Sequence, residues 1–215
     1  MSPPKILSAA GLLLSLNIVT AQAALIDRGN GLIYDTDLNV TWLQDANYAQ
    51  TSGYDADGLM DWTASTAWAA DLSYQGYTDW RLPTTLQLDP SCGTQTGLAS
   101  YGLNCTGSEL GHLFYSELGG TALQSILTSH NNNFNLFSNI QNSVYWSSTE
   151  YIYTPNSAFY FWVDSGFQTI SPKEQGTVVY AWAVRSGDVA TSSVPEPSSL
   201  ALLALGMVAL MRVRR

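Results

Sequence analysis

Basic residues are scarce in this chain of 215 residues, which has 8 Lys and Arg against 17 Asp and Glu. Four of the bases and one acid lie in the terminal segments discussed below. Residues 24–193 therefore carry four bases and 16 acids, a net charge of −12. Such a surface repels phosphate backbones and other polyanions. The charge argues against nucleic acid as a partner and favours divalent cations, neutral glycans or solubility alone.

Histidine is almost absent, which limits the catalytic sites that the chain can build. His112 and His130 are its two histidines. Glu109 and His112 share one face of a predicted helix, but a zinc site needs three or four ligands. A nucleophilic serine needs a positioned base, and we expect the hydroxyls of 147–149 to bond between strands instead. We therefore predict that the chain is not an enzyme and that His112 packs in the core.

Long apolar runs are missing from the middle of the chain and occur only near its ends. Lys5 precedes the apolar stretch Ile6–Val19, and Ala21-Gln22-Ala23 follows it with small residues at the positions that signal peptidase reads. The run is short for a permanent span, which needs about 20 residues. The pattern predicts a signal peptide at 1–23, cleaved by signal peptidase after Ala23, and therefore export.

The second apolar run, Leu200–Met211, follows Pro195-Glu196-Pro197 and precedes a tail with three arginines. The prolines keep the backbone extended, and the arginines stay on the cytoplasmic side of a membrane. This order resembles the PEP-CTERM sorting signal, which implies cleavage by an exosortase near Pro195-Glu196-Pro197. We expect a terminal helix that is transiently in the inner membrane. The protein would then reside at the cell envelope or surface, or in the extracellular matrix.

The sorting signal at 194–215 and a polar linker at 188–193 leave one domain at 24–187, long enough to bury its own core. Its two cysteines, Cys92 and Cys105, have 12 residues between them. Exported chains meet an oxidising compartment, so we predict a disulfide that closes this loop.

Hydrophobic periodicity predicts an α+β fold, an antiparallel sheet with two or three helices. Asp61 is placed to cap the clearest helix, and Ser108 to cap the second. Asp and Asn in the turn 36–39 favour a hairpin. The predicted helices are Asp61–Tyr74, Glu109–Leu118 and a short Thr121–His130; the predicted strands are Gly31–Asp35, Val40–Leu43, Val144–Trp146, Ala158–Val163, Phe167–Ile170 and Val178–Val184.

An acidic loop precedes the first predicted helix and resembles part of a calcium site. Asp55, Asp57 and Asp61 surround Gly58 and offer hard oxygen ligands. No Glu closes the loop at the twelfth position, so the pattern is incomplete. Calcium is the one cofactor that the sequence suggests, and none is required; the alternative is a solvated loop that caps the helix.

Four segments follow one another in a distinctive order: Gly76–Thr84 with its Trp-Arg-Leu-Pro, Gly111–Tyr115, Tyr145–Tyr151 and Ala181–Arg185. In this order they resemble the Lcl C-terminal domain family, over roughly 31–187. The resemblance implies an extracellular domain with a C-type-lectin-like fold, a role in adhesion to glycans and no enzymatic activity. Sulfated glycans need basic residues, so four bases argue against an anionic ligand here.

Most residues of these segments are predicted to be structural. We expect Arg81 to pair with a buried acid such as Glu150, while Trp80 packs in the core. Pro83 sets an extended turn. The predicted structural residues are Trp80, Arg81, Pro83, Trp146, Glu150 and Arg185.

Our leading hypothesis is an exported, non-enzymatic protein that binds extracellular polysaccharide or another surface component. Tyr153, Tyr160 and Trp162 are the predicted glycan-binding residues, because aromatic rings stack on sugars. One alternative is a passive matrix component that self-associates. Another is a C-type-lectin-like enzyme, which would need reactive cysteines.

Overall fold

The computed structural model of the protein describes residues 25–174 and 179–189. These residues form two five-stranded sheets, a small hairpin and short helices, so the predicted α+β class is confirmed, with mostly antiparallel pairing. The predicted signal peptide 1–23, the sorting signal 194–215 and most of the linker 188–193 lie outside the described residues. Within the described part of the chain, no helix is long and apolar enough to cross a bilayer.

The elements follow one another in this order. The strands are β1 Leu25–Gly29, β2 Leu32–Asp35, β3 Val40–Leu43, β4 Leu59–Met60, β5 Trp80–Arg81, β6 Thr94–Thr96, β7 Ala99–Tyr101, β8 Val144–Glu150, β9 Ser157–Trp162, β10 Phe167–Pro172, β11 Val179–Tyr180 and β12 Val184–Ser186. The helices are α1 Tyr48–Thr51, α2 Trp62–Asp71 and α3 Glu109–His112, followed by a π-helix at Leu113–Glu117 and a 3-10 helix at Asn132–Leu136.

The first sheet has the order β1-β2-β3-β12-β5 and brings the two ends of the domain together. The predicted hairpin is confirmed, with Asp35 opposite Val40 beside the turn. β12 pairs antiparallel with β3, and Arg28 of β1 forms an ion pair with Asp188. β1 was not predicted, because polar residues break its alternation. The first sheet therefore contains both the first and the last strand of the described domain.

The second sheet has the order β10-β9-β8-β11-β4, and β11 lies parallel to β8. The prediction of one strand over Val178–Val184 is wrong, since β11 belongs to this sheet and β12 to the first. The buried residues Ala181–Ala183 cross between the sheets. Trp182 packs at the crossing, 5.4 Å from the Trp42 ring and 5.6 Å from the Tyr145 ring. The aromatic core therefore lies where the two sheets meet.

Helix α2 confirms the first predicted helix and its cap. The Asp61 carboxylate accepts a hydrogen bond from Ala64 N at 2.8 Å, and the helix ends at Asp71 because Leu72 is extended. The second predicted helix begins at Glu109 as expected, but continues as a π-helix after one turn. Ser108 lies at its N-cap without a capping bond, since its hydroxyl accepts from Leu86 N instead.

The predicted helix over Thr121–His130 is wrong, because the structure places turns there. Leu123 N and Ile126 N donate to the carbonyls of Ser165 and Val163. These amides thus hold the segment against the turn between β9 and β10 rather than forming helical bonds.

Candidate functional site

A group of exposed apolar side chains surrounds the disulfide-closed loop, and we name this surface the loop patch. The predicted disulfide between Cys92 and Cys105 is present, and both cysteines are buried beside the hairpin of β6 and β7. Each of the patch side chains is between 48% and 54% exposed. The loop patch consists of Leu86, Leu88, Leu98, Ile152 and Tyr153.

Hydrogen bonds join the three loops that form the loop patch. The Tyr153 hydroxyl accepts from Leu98 N at 2.8 Å, and its ring packs edge-on against Tyr151 at 5.5 Å. Ile152 N donates to the Gln87 side chain at 3.2 Å. The exposed side chains are therefore presented on a fixed backbone, as a binding surface requires.

The other two predicted glycan-binding residues lie on a different surface. Tyr160 and Trp162 share one face of β9, with ring centroids 6.0 Å apart, and both are half-buried. Tyr160 also packs against the buried Trp146. Tyr153 contacts, through Tyr151, the ring of Phe159 on the opposite face of β9. The structure therefore does not bring the three aromatic candidates into one site.

The predicted partner of Arg81 is wrong. Arg81 makes a bidentate pair with Glu109, with both nitrogen–oxygen distances 2.7 Å. Glu109 begins α3, whereas Glu150 is the exposed last residue of β8, the central strand of its sheet, and pairs with Lys173. Glu109 also accepts from Thr84 N at 2.6 Å. The pair thus fixes the turn that carries the proline of the Trp-Arg-Leu-Pro segment.

The remaining residues of the family segments hold the fold together. Trp80 and Trp146 are buried, and their indole nitrogens donate to the carbonyls of Tyr77 and Met60. Arg185 pairs with Asp79 and lies 4.2 Å above the Tyr77 ring. Pro83 is buried, and its carbonyl accepts from Ser148 N. Each of these residues thus holds a neighbouring segment of the fold in place.

The acidic loop before α2 is held by its own carboxylates. Asp55 accepts from Asp57 N at 3.1 Å and Gly58 N at 2.7 Å, and these backbone bonds, that from Asp57 first, lower the pKa of its carboxyl. Asp57 accepts from Leu59 N, and Asp61 caps α2. These bonds agree with the alternative of an acidic loop that caps α2. The calcium site stays a prediction.

A second polar cluster lies between the β2–β3 turn and the π-helix. His112 Nε2 lies 3.2 Å from Glu117 Oε1 and 3.9 Å from Asp37 Oδ2. Ligand atoms of Asp35, His112 and Glu117 all lie within 4.8 Å of one another. Asp35 and Glu117 are 0% and 1% exposed. Three side chains that can ligate a metal ion therefore lie together, two of them fully buried.

Burial and hydrogen bonding raise the pKa values of two groups in this cluster. Burial raises the pKa of the Asp35 carboxyl, and the nearby Glu117 adds to the effect. The hydrogen bond to Glu117 raises the pKa of His112, against the effect of burial. The pKa values of Asp35 and His112 thus both depend on the charge of Glu117.

Sequence reasoning missed this cluster because a π-helix builds it. Residues five apart lie on different faces of an α-helix, but the wider π turn brings them to one side. Leu118 N bonds to Leu113 O in this π pattern, and His112 and Glu117 face each other as a result. The only sequence signal is a His five residues before a Glu, and Asp35 joins them through the tertiary fold.

Comparison with known proteins gives two matches. The Lcl C-terminal domain family model matches residues 31–185, which is most of the chain. The PEP-CTERM protein-sorting motif matches residues 193–215. Both resemblances predicted from the sequence are therefore confirmed. Neither the curated proteins nor the solved structures that were searched contain a match to the chain.

Proposed function

The chain belongs to the Lcl C-terminal domain family and carries a PEP-CTERM sorting motif, and on this premise we propose a glycan-binding protein of the cell surface or extracellular matrix. The sorting motif directs an exported chain to exosortase at the cell envelope. The proposal adds a non-enzymatic domain that binds neutral polysaccharide. The adjacent ends of the described domain and the long segment of short elements and loops between β5 and β8 support a C-type-lectin-like classification.

The loop patch carries the proposal. Exposed apolar surface on a rigid frame is typical of an interaction site. Tyr153 offers a half-exposed flat ring for stacking on the apolar face of a sugar, and the backbone N–H of Leu98 holds its hydroxyl in place. The half-buried pair Tyr160 and Trp162 is the second candidate surface, with less area open to a ligand.

Charge selects the class of glycan. The bases of the domain are Arg28, Arg81, Lys173 and Arg185, and each one is bound to a carboxylate. An anionic glycan would have to compete with these ion pairs and approach a surface of net negative charge. A neutral glycan meets neither obstacle, so neutral polysaccharide is the proposed ligand.

Self-association of the matrix protein is the second proposal. Four of the five side chains in the loop patch are aliphatic, and two patches facing each other would bury them from water. Enzymatic activity is not part of either proposal. A thiol enzyme would need reactive sulfurs, and Cys92 and Cys105 are joined in the disulfide.

Co-sedimentation with insoluble neutral glucans, with sulfated dextran as the anionic competitor, tests the proposal. We expect Tyr153→Ala to weaken binding about tenfold, the loss of roughly 1.4 kcal/mol of stacking. Tyr54→Ala is the matched control, because Tyr54 is equally exposed and lies outside the loop patch. Equal binding by both variants would refute the site.

Sedimentation velocity separates the two proposals. A binder that stays monomeric over a wide concentration range supports glycan recognition alone. Dimers that disappear in the Tyr153→Ala or Leu88→Ala variant support self-association through the loop patch.

A further inference from the structure

We propose that Asp35, His112 and Glu117 bind one divalent metal ion, Zn²⁺ in preference to Mn²⁺, at a site that joins the N-terminal hairpin to the π-helix. The proposal is independent of glycan binding, because the cluster and the loop patch are formed by different elements.

The spacing of the ligand atoms fits a small ion. Zinc–nitrogen and zinc–oxygen bonds of about 2.0–2.2 Å place the ligands of a tetrahedral ion about 3.4 Å apart. His112 Nε2 and Glu117 Oε1 are already 3.2 Å apart. The ligand atoms of the other two pairs lie within 4.8 Å of each other, so displacements of less than about 1.5 Å would bring all three ligand atoms to tetrahedral spacing.

Two buried oxygens of the cluster have no hydrogen-bond partner among residues 25–174 and 179–189. They are Asp35 Oδ2 and Glu117 Oε2, and both belong to side chains that are almost fully buried. An unpaired buried acceptor is costly, and a charged one more so. A metal ion at the cluster would coordinate Asp35 Oδ2 and bind Glu117 through both of its carboxylate oxygens, which gives these carboxylates a reason to be buried together.

The charge of the cluster also calls for a cation. Asp35, Glu117 and the nearby Asp37 are three carboxylates facing a single histidine. The four Lys and Arg side chains of the described residues all pair with other acids. A divalent ion would balance the buried negative charge that His112 alone leaves uncompensated.

The surroundings orient the proposed ligands. Asp35 Oδ1 accepts from Asp37 N and Leu38 N, both at 3.0 Å, which leaves the unpaired Oδ2 as the oxygen for the ion. Such outer hydrogen bonds are how proteins fix metal ligands. Asp37 is 47% exposed, so an ion can enter past its side chain and take it as a fourth ligand.

The donor set selects the metal. One imidazole with two or three carboxylates suits Zn²⁺ or Mn²⁺, and the general affinity order puts Zn²⁺ well above Mn²⁺. Calcium prefers six to eight oxygen ligands, which this cluster does not supply. The site is therefore distinct in chemistry and position from the acidic loop before α2.

Metal titration of the chelator-treated full chain tests the proposal. We expect isothermal titration with ZnCl₂ to show one site per chain and the unfolding midpoint to rise by about 5–10 °C at 100-fold excess over Kd. MnCl₂ should bind more weakly, and CaCl₂ should have no effect at this site. Co²⁺ should give the visible absorption bands of a four-coordinate nitrogen–oxygen site.

Variants locate the ion. His112→Gln and Glu117→Gln should each weaken Zn²⁺ binding by about 100-fold or more, since even residues behind the ligands cost 10–100-fold. His130→Gln is the matched control, because His130 is exposed and lies outside the cluster. It should leave the affinity unchanged.

The outcomes that overturn the proposal are equally definite. A wild-type chain that takes up no stoichiometric Zn²⁺ and gives no Co²⁺ bands would make the cluster a proton-sharing network only. Zinc binding that survives in His112→Gln but falls in His130→Gln would place the ion elsewhere. If His112→Gln does not fold, the Co²⁺ spectrum of the wild type and the Glu117→Gln titration decide the question.

Discussion

Glu109→Gln should destabilise the domain far more than Glu150→Gln, although both acids pair with a base. Glu109 accepts two bonds from Arg81 and one from Thr84 N, and its side chain is 12% exposed. Breaking a buried pair costs about 3–5 kcal/mol. Because the Arg81 side chain is 30% exposed and the glutamine keeps one acceptor, we expect about 2–3 kcal/mol.

Glu150→Gln is the matched control, since the Glu150 side chain is 51% exposed and pairs with Lys173. Its loss should be about 0.2–1 kcal/mol. Urea unfolding followed by tryptophan fluorescence measures both free energies of unfolding. In thermal unfolding, Glu109→Gln should lower the midpoint temperature by about 5–10 °C. Equal losses within about 0.5 kcal/mol would refute the assignment of Glu109 as the buried partner.

Three further changes test the core and the loop. Burial raises the pKa of the Tyr145 hydroxyl, so the unfolded chain loses this proton at a lower pH than the folded chain does. The free energy of unfolding should therefore be unaffected below about pH 10 and fall above it. Tyr145→Phe should reduce this alkaline loss of stability, measured by circular dichroism. A Cβ on Gly111 would lie 1.8 Å from the Cys105 carbonyl oxygen, so Gly111→Ala should cost about 1–3 kcal/mol in urea unfolding, and a neutral effect would contradict this packing. Replacing Cys92 and Cys105 by Ala should cost about 2–3 kcal/mol, and thiol titration of the denatured wild type should find no free sulfur.

Features of the fold that depend on neighbouring residues could be predicted from the sequence. Asp and Asn in the turn 36–39 indicated the hairpin, and Asp61 indicated the start of α2. The strand over 178–184 was misread because its apolar residues continue through the crossing between the sheets. Where a buried run leaves one sheet and enters another depends on tertiary packing, which hydrophobic periodicity does not encode.

Some residues of the candidate sites could likewise be predicted from the sequence, whereas others are recognised only in the folded structure. The disulfide follows from composition and compartment, and Tyr153 from the abundance of aromatic residues. Choosing between Glu109 and Glu150 as the partner of Arg81 requires the fold, since both acids are present at long separation in the sequence. The grouping of His112 with Glu117 requires a π-helix, whose occurrence no pattern in the sequence predicts.

A glycan-array screen of the purified protein beside its Tyr153→Ala variant tests the central claim most directly. The account predicts that the wild type binds one or a few neutral glycans and no sulfated ones, and that the variant loses this binding while its circular dichroism is unchanged. Binding confined to sulfated glycans, no binding at all, or binding that the variant retains in full would contradict recognition of neutral glycan by the loop patch.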